Sequence, residues 1–274
     1  MRQRETLDLI RDVIAVARER RLSVTAAGLA FHTFNTLVPL VILLLVGVTV
    51  VGALEHVLEA LETAAGGEAG TTRDELDRLT GDGGRDRLRA TFIALIIFAW
   101  SAVRLFQAVN SAFTGVYGSR KQQTILGSAS TLALMVATVV VGVGLVAVLG
   151  VGIALFVDGI GVTLLTLPVL FASLVATFLP MYYFFPHADV SVREILPGTL
   201  LAAASWTLLA VGFRLYVATA ESVALFGVAG ALLIVLTWIY FGGACLVLGA
   251  VCNAVLADRV EVDDEWLVLG RPAD

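Results

Sequence analysis

Lysine occurs once in this chain of 274 residues, at Lys121, and cysteine twice, at Cys245 and Cys252. The cysteines are seven positions apart on one apolar run, a distance too long for a disulfide within a helix. They read as small packing residues. The three histidines, His32, His56 and His187, lie in separate regions without metal-ligand spacing, so no metal is expected. No glycine loop runs into Lys-Ser or Lys-Thr, so ATP-driven transport by this chain alone is not expected. No Asp or Glu falls inside an apolar run long enough to cross a membrane, which leaves no embedded carboxylate pair for acid–base work. Neither an enzyme nor a cofactor is therefore expected. Charged residues are also scarce, at 15% against roughly 25% in soluble domains. The net charge of −5 offers no general basic patch, so nucleic acid is not an expected partner. No secretory signal is visible in the charged, amphipathic N-terminal stretch.

What the chain has instead is apolar length. Hydrophobic residues make up 58%, and the mean hydropathy is +0.92. No Asp, Glu, Lys or Arg occurs between Arg21 and Glu55, between Lys121 and Asp158, or between Glu221 and Asp258. A membrane crossing needs only about 20 apolar residues. Spans are expected at 31–54, 90–116, 126–156, 162–185, 195–219 and 227–257. The fold class is all-α: a polytopic membrane helical bundle of about six transmembrane helices preceded by an amphipathic helix. One integral membrane domain would cover 1–274. Its parts are a cytoplasmic amphipathic helix at 1–21, an extracytoplasmic segment at 55–89 and an acidic cytoplasmic tail at 258–274. In 4–21, Leu7, Ile10, Val13, Ile14 and Ala17 fall at helical spacing, which suits either an interfacial helix or a cap packed under the bundle. Arg and Lys set the orientation. The side of the termini holds Arg120, Lys121, Arg193, Arg259 and Arg271. The five arginines of the other side all lie in 55–89, outnumbered by acids. Both termini are expected in the cytoplasm, with the protein in the cytoplasmic membrane.

Polar groups inside the spans are the candidate site, because ionisable side chains at membrane depth usually face a bundle interior or a wet cavity. Ser101, Arg104, Gln107 and Asn110 recur every three residues on the second span and form one slowly rotating stripe. His32 and Asn35 stand on the first span just before Pro39, whose missing donor can loosen that turn. Arg104 suits either a clamp between helices or a contact to an anionic group. Arg214, near the end of the fifth span, can snorkel to the headgroups. Glycines and alanines such as Gly198 and Ala202 supply close helix contacts.

Several segments are similar to one family. Ala27-Gly28-Leu29-Ala30-Phe31-His32-Thr33-Phe34 followed by Val38-Pro39-Leu40 resembles the opening of the YihY/virulence factor BrkB family, and Phe98-Ala99-Trp100-Ser101-Ala102-Val103-Arg104 its second-helix signature. Leu179-Pro180, Arg193-Glu194-Ile195-Leu196-Pro197-Gly198, Trp238-Ile239-Tyr240 and Asn253-Ala254 follow in the same order. The resemblance implies a cytoplasmic-membrane protein with both ends inside. It also implies links to envelope properties and serum resistance, and to export of a lipid A precursor by one member. An older ribonuclease BN label on the family looks mistaken, in keeping with the missing metal-ligand cluster. The chain departs from the family's Gly-Ala-Glu-x-Asn-Ala pattern, since Val251 stands where that glutamate is usual. The expected function is transporter-like movement of a lipid or anionic solute, with the lipid bilayer as partner. The rival is a non-transporting envelope scaffold or assembly factor.

Overall fold

The computed structural model describes residues 2–50, 84–118, 160–186, 190–219 and 223–260. These form six helices and no strand: α1 (Arg2–Glu19), α2 (Leu22–Val50), α3 (Gly84–Tyr117), α4 (Ile160–Phe184), α5 (Val192–Thr219) and α6 (Val223–Leu256). Five of them contain stretches long and apolar enough to cross a membrane: Leu22–Leu44, Thr91–Tyr117, Leu165–Phe184, Val192–Tyr216 and Gly230–Leu256. The expected span at 126–156, most of the 55–89 segment, His187 and nearly all of the acidic tail lie outside the described residues. Large apolar side chains point outward on these helices, among them Phe92, Ile96, Leu208 and Leu233. In water such faces would be a liability; against acyl chains they are the expected surface.

Local chemistry sets the helix ends. α1 stops where Arg21 takes a left-handed φ of 49°, and the Arg21 N–H donates back to the Arg18 carbonyl at 3.0 Å. α2 starts at once, because the Arg21 carbonyl accepts from Val24 and Thr25. α3 stops at Gly118, whose φ of 63° suits a residue without Cβ. A capping box opens α5: Ser191 Oγ accepts from the Glu194 N–H at 3.4 Å and donates to Glu194 Oε1 at 3.1 Å. α6 ends in a Schellman turn with Asp258 left-handed, as Asp258 N–H meets the Val255 carbonyl and Arg259 N–H the Ala254 carbonyl.

Contacts gather the chain into two compact units, 31–106 and 1–30 with 107–274. In the second, α5 packs on both α4 and α6, and α1 packs on α6. Its core holds Phe113, stacked on Phe185 and edge-on to Tyr182, with Ile195, Ala202, Val247 and Val251 all buried. α5 and α6 meet backbone to backbone where Gly198 faces Gly249; a Cβ on Gly198 would run into the Gly249 carbonyl and the Asn253 amide. Lipid supplies no apolar drive between helices, so such contact and buried hydrogen bonds hold the pair. Among the described residues of the unit 31–106, Thr36, Pro39, Val46, Ala94 and Ser101 are the buried positions.

Candidate functional site

The stripe on α3 crosses from one unit to the other. Ser101 and Arg104 belong to 31–106, with His32 and Asn35, whereas Gln107 and Asn110 belong to the other unit. Ser101 is buried, but Arg104 and Gln107 are exposed. The difference follows from helix geometry: three residues turn about 300°, so each step falls back by about 60° and the four positions sweep half the circumference. Arg104 stands midway along the apolar stretch Thr91–Tyr117 and is the sole charge in it. Its guanidinium carbon lies 4.9 Å from the ring centre of Trp100, itself 64% exposed. On α2, His32 is half-buried with its ring edge-on to Phe31 at 5.4 Å, and Asn35 is exposed. The His32 carbonyl accepts from Thr36 Oγ1 at 2.8 Å. In the other unit, the Asn110 Oδ1 is buried without a hydrogen-bonding partner among the described residues.

A second polar cluster ties α4, α5 and α6 together. Asn253 reads the backbone of α5 on both sides of its amide. Its Oδ1 accepts from the Gly198 N–H at 2.6 Å, and its Nδ2 donates to the Ile195 carbonyl at 2.9 Å. Tyr182 on α4 donates to the Leu246 carbonyl at 2.6 Å, and Trp206 Nε1 donates to the Gly242 carbonyl at 2.9 Å. Gly242 allows the indole to lie flat against α6, since any Cβ there would meet Trp206. At the rim, Arg259 pairs with Glu194 at 2.8 Å, and the Tyr117 hydroxyl is buried beside Asn253. In the sequence Asn253 stands out only within the Asn253-Ala254 family match. Its partners lie 55 and 58 positions away, and no local pattern carries that pairing.

An open apolar groove of about 710 Å³ runs between α5 and α6, lined by Leu208, Phe213, Tyr216, Leu233 and Trp238 among others. The Trp238 indole N–H is buried without a partner among the described residues. Arg214 is exposed two residues before the end of its apolar stretch, a position from which it can snorkel. Val251 is fully buried, so the position where the family glutamate is usual faces the helix bundle and not lipid.

Five apolar crossings with outward leucines and isoleucines, of which α4, α5 and α6 are joined through backbone-directed polar groups, define a polytopic helical membrane protein. The chain belongs to the virulence factor BrkB family, whose model matches residues 13–266. It is 26% identical over 261 residues to a UPF0761 membrane protein of Methylibium petroleiphilum, covering 90% of this chain and 62% of that one. A UPF0761 membrane protein of Photobacterium profundum is 24% identical over 256 residues, 87% of this chain and 77% of its own. A ribonuclease-like protein of Bacillus subtilis, YfkH, is 31% identical over 93 residues, 34% of either chain. No solved structure matches the chain.

Proposed function

We propose that this protein is transporter-like and moves a lipid or an anionic solute across the cytoplasmic membrane, with both termini in the cytoplasm. The observation that supports this reading is Arg104, a single guanidinium at the middle of the otherwise uncharged apolar stretch Thr91–Tyr117. A charge there costs about 2.5–3.5 kcal/mol on insertion scales. The contact with Trp100 returns about 0.5–1 kcal/mol, or about 2 when desolvated. The balance favours a further, anionic partner for Arg104, and a phosphate or carboxylate in transit fits that demand. Ser101, Gln107 and Asn110 continue the polar path along α3, and His32 and Asn35 add polar groups on α2. The reading assigns no bond-making step to the chain.

Reconstituted vesicles test it in two arms. One follows leaflet exchange of a fluorescent phosphatidylglycerol, and the other follows release of trapped carboxyfluorescein. Exchange or release above that of protein-free vesicles is expected in one arm. Arg104→Gln should lower it at least tenfold, while Arg104→Lys retains part and Arg214→Gln leaves it unchanged. Rates equal to empty vesicles in both arms, or rates indifferent to Arg104→Gln, would overturn the proposal in favour of a non-transporting scaffold.

A further inference from the structure

α1 has two working faces, and only one is used inside the protein. The helix packs on α6, and the neighbours Ala15 and Val16 carry that contact with exposures of 5% and 0%. Ile10 and Ile14, one turn apart, remain 49% and 46% exposed. At about 100° per residue, Arg18 and Arg11 fall within about 100° of Ile10 on the same outward arc. Asp8, Glu19 and Asp12 cluster on the arc opposite Ile10, so the two signs of charge are segregated around the helix. Asp8 and Arg11 do meet at 3.6 Å, but both side chains are largely exposed, and such a pair holds weakly.

The position of α1 along the chain indicates what covers this face. The first apolar stretch begins at Leu22, three residues after α1 ends, so the helix is tethered at the level where a bilayer's headgroups begin. Val24, in the first turn of α2, is 65% exposed and extends the apolar edge. Between them Arg21 keeps a left-handed backbone that glycine would adopt more easily. An arginine held there against conformational preference adds a third exposed cation to the same boundary. Isoleucines flanked by arginines beside a membrane entry suit the layer between acyl chains and phosphates.

We propose that the outward face of α1 docks onto anionic phospholipid headgroups. Ile10 and Ile14 enter the acyl boundary, and Arg11, Arg18 and Arg21 bind the phosphates. The contact is independent of any transported substrate and makes the fit of α1 sensitive to the leaflet's charge.

The full chain in lipid nanodiscs tests it, with Cys245 and Cys252 replaced by alanine and an environment-sensitive dye on Ile14→Cys. Emission in phosphatidylcholine alone is compared with emission in a mixture with phosphatidylglycerol. A blue shift on adding phosphatidylglycerol is expected, reversed by high salt because exposed charges are screened. The shift should fall at least severalfold in Arg11→Gln/Arg18→Gln. Water-like emission in both lipids overturns the proposal. So does an equal shift in both lipids, or a shift indifferent to salt or to the arginine replacements. A shift that follows the number of chains per nanodisc would assign the face to a second copy instead.

Discussion

Asn253 and Gly198 show how much a single position can carry when lipid, and not water, surrounds the fold. The Asn253 amide both accepts from and donates to the backbone of α5, and Gly198 leaves the room for it to do so. Asn253→Ala would leave the Gly198 N–H buried without its acceptor, at a cost of about 1–3 kcal/mol. Gly198→Ala would force a Cβ against the Gly249 carbonyl and the Asn253 amide, an overpacking that costs about 1–3 kcal/mol or more. Gly115 is the control, since nothing among the described residues lies within 4 Å of a Cβ placed there. Thermal unfolding of the purified variants in detergent should rank Gly198→Ala and Asn253→Ala well below wild type and Gly115→Ala level with it. If Gly198→Ala matched Gly115→Ala, close contact between α5 and α6 would not be what holds the pair.

At the scale of elements, the ends of α5 and α6 are fastened to each other, and here the sequence was partly legible. Ser191 and Glu194 spell a capping box at the spacing such boxes require, so the start of α5 could be read locally. That Glu194 also holds Arg259 could not be read, because the Schellman turn that aims Arg259 has Asp258 where glycine would have signalled it. The apolar runs marked six crossings, because about 20 residues with at most one charge leave few alternatives, and five of them coincide with described helices. Their limits differ from the expected ones. α2 begins at Leu22 and not at the expected 31, since Ala26, Leu29 and Ala30 pack inside the unit of 1–30 and 107–274 and extend the helix into the protein. α3 likewise begins at Gly84, within the segment read as hydrophilic, because helical hydrogen bonding tolerates its charged first turns. Removing the cap tests the fastening. Ser191→Ala should cost about 0.5–2 kcal/mol of stability and Ser191→Asp much less, since Asp also caps. Equal losses from the two, read by chemical denaturation in detergent, would mean that α5 does not depend on its cap.

At the scale of the molecule, the helix directions bear on sidedness. Tyr117 at the end of α3 lies beside Asn253, Glu194 and Arg259, and Phe113 meets Tyr182 and Phe185 at the end of α4. The last turns of α3 and of α4 therefore finish at the same end of their unit, where α5 starts and α6 stops. Two helices that finish together cannot be joined by a short turn, and an uncharged run between Lys121 and Asp158 is available in sequence for the return. The crossing expected from the sequence at 126–156, outside the described residues, would make the number of crossings even and place both termini on one side. That side carries Arg193 and Arg259, along with the arginines of α1 through its packing on α6. Basic residues near span ends favour the cytoplasm. In a background with Cys245 and Cys252 replaced by alanine, Thr72→Cys in intact cells should react with a membrane-impermeant maleimide. Asp264→Cys should react only after the cells are opened. Labelling of Asp264→Cys in intact cells would invert the orientation, and labelling of both from outside would break the even count. The arginine bias makes the first pattern the expected one, because inverting the chain would move the cations of α1, α5 and α6 across the membrane together.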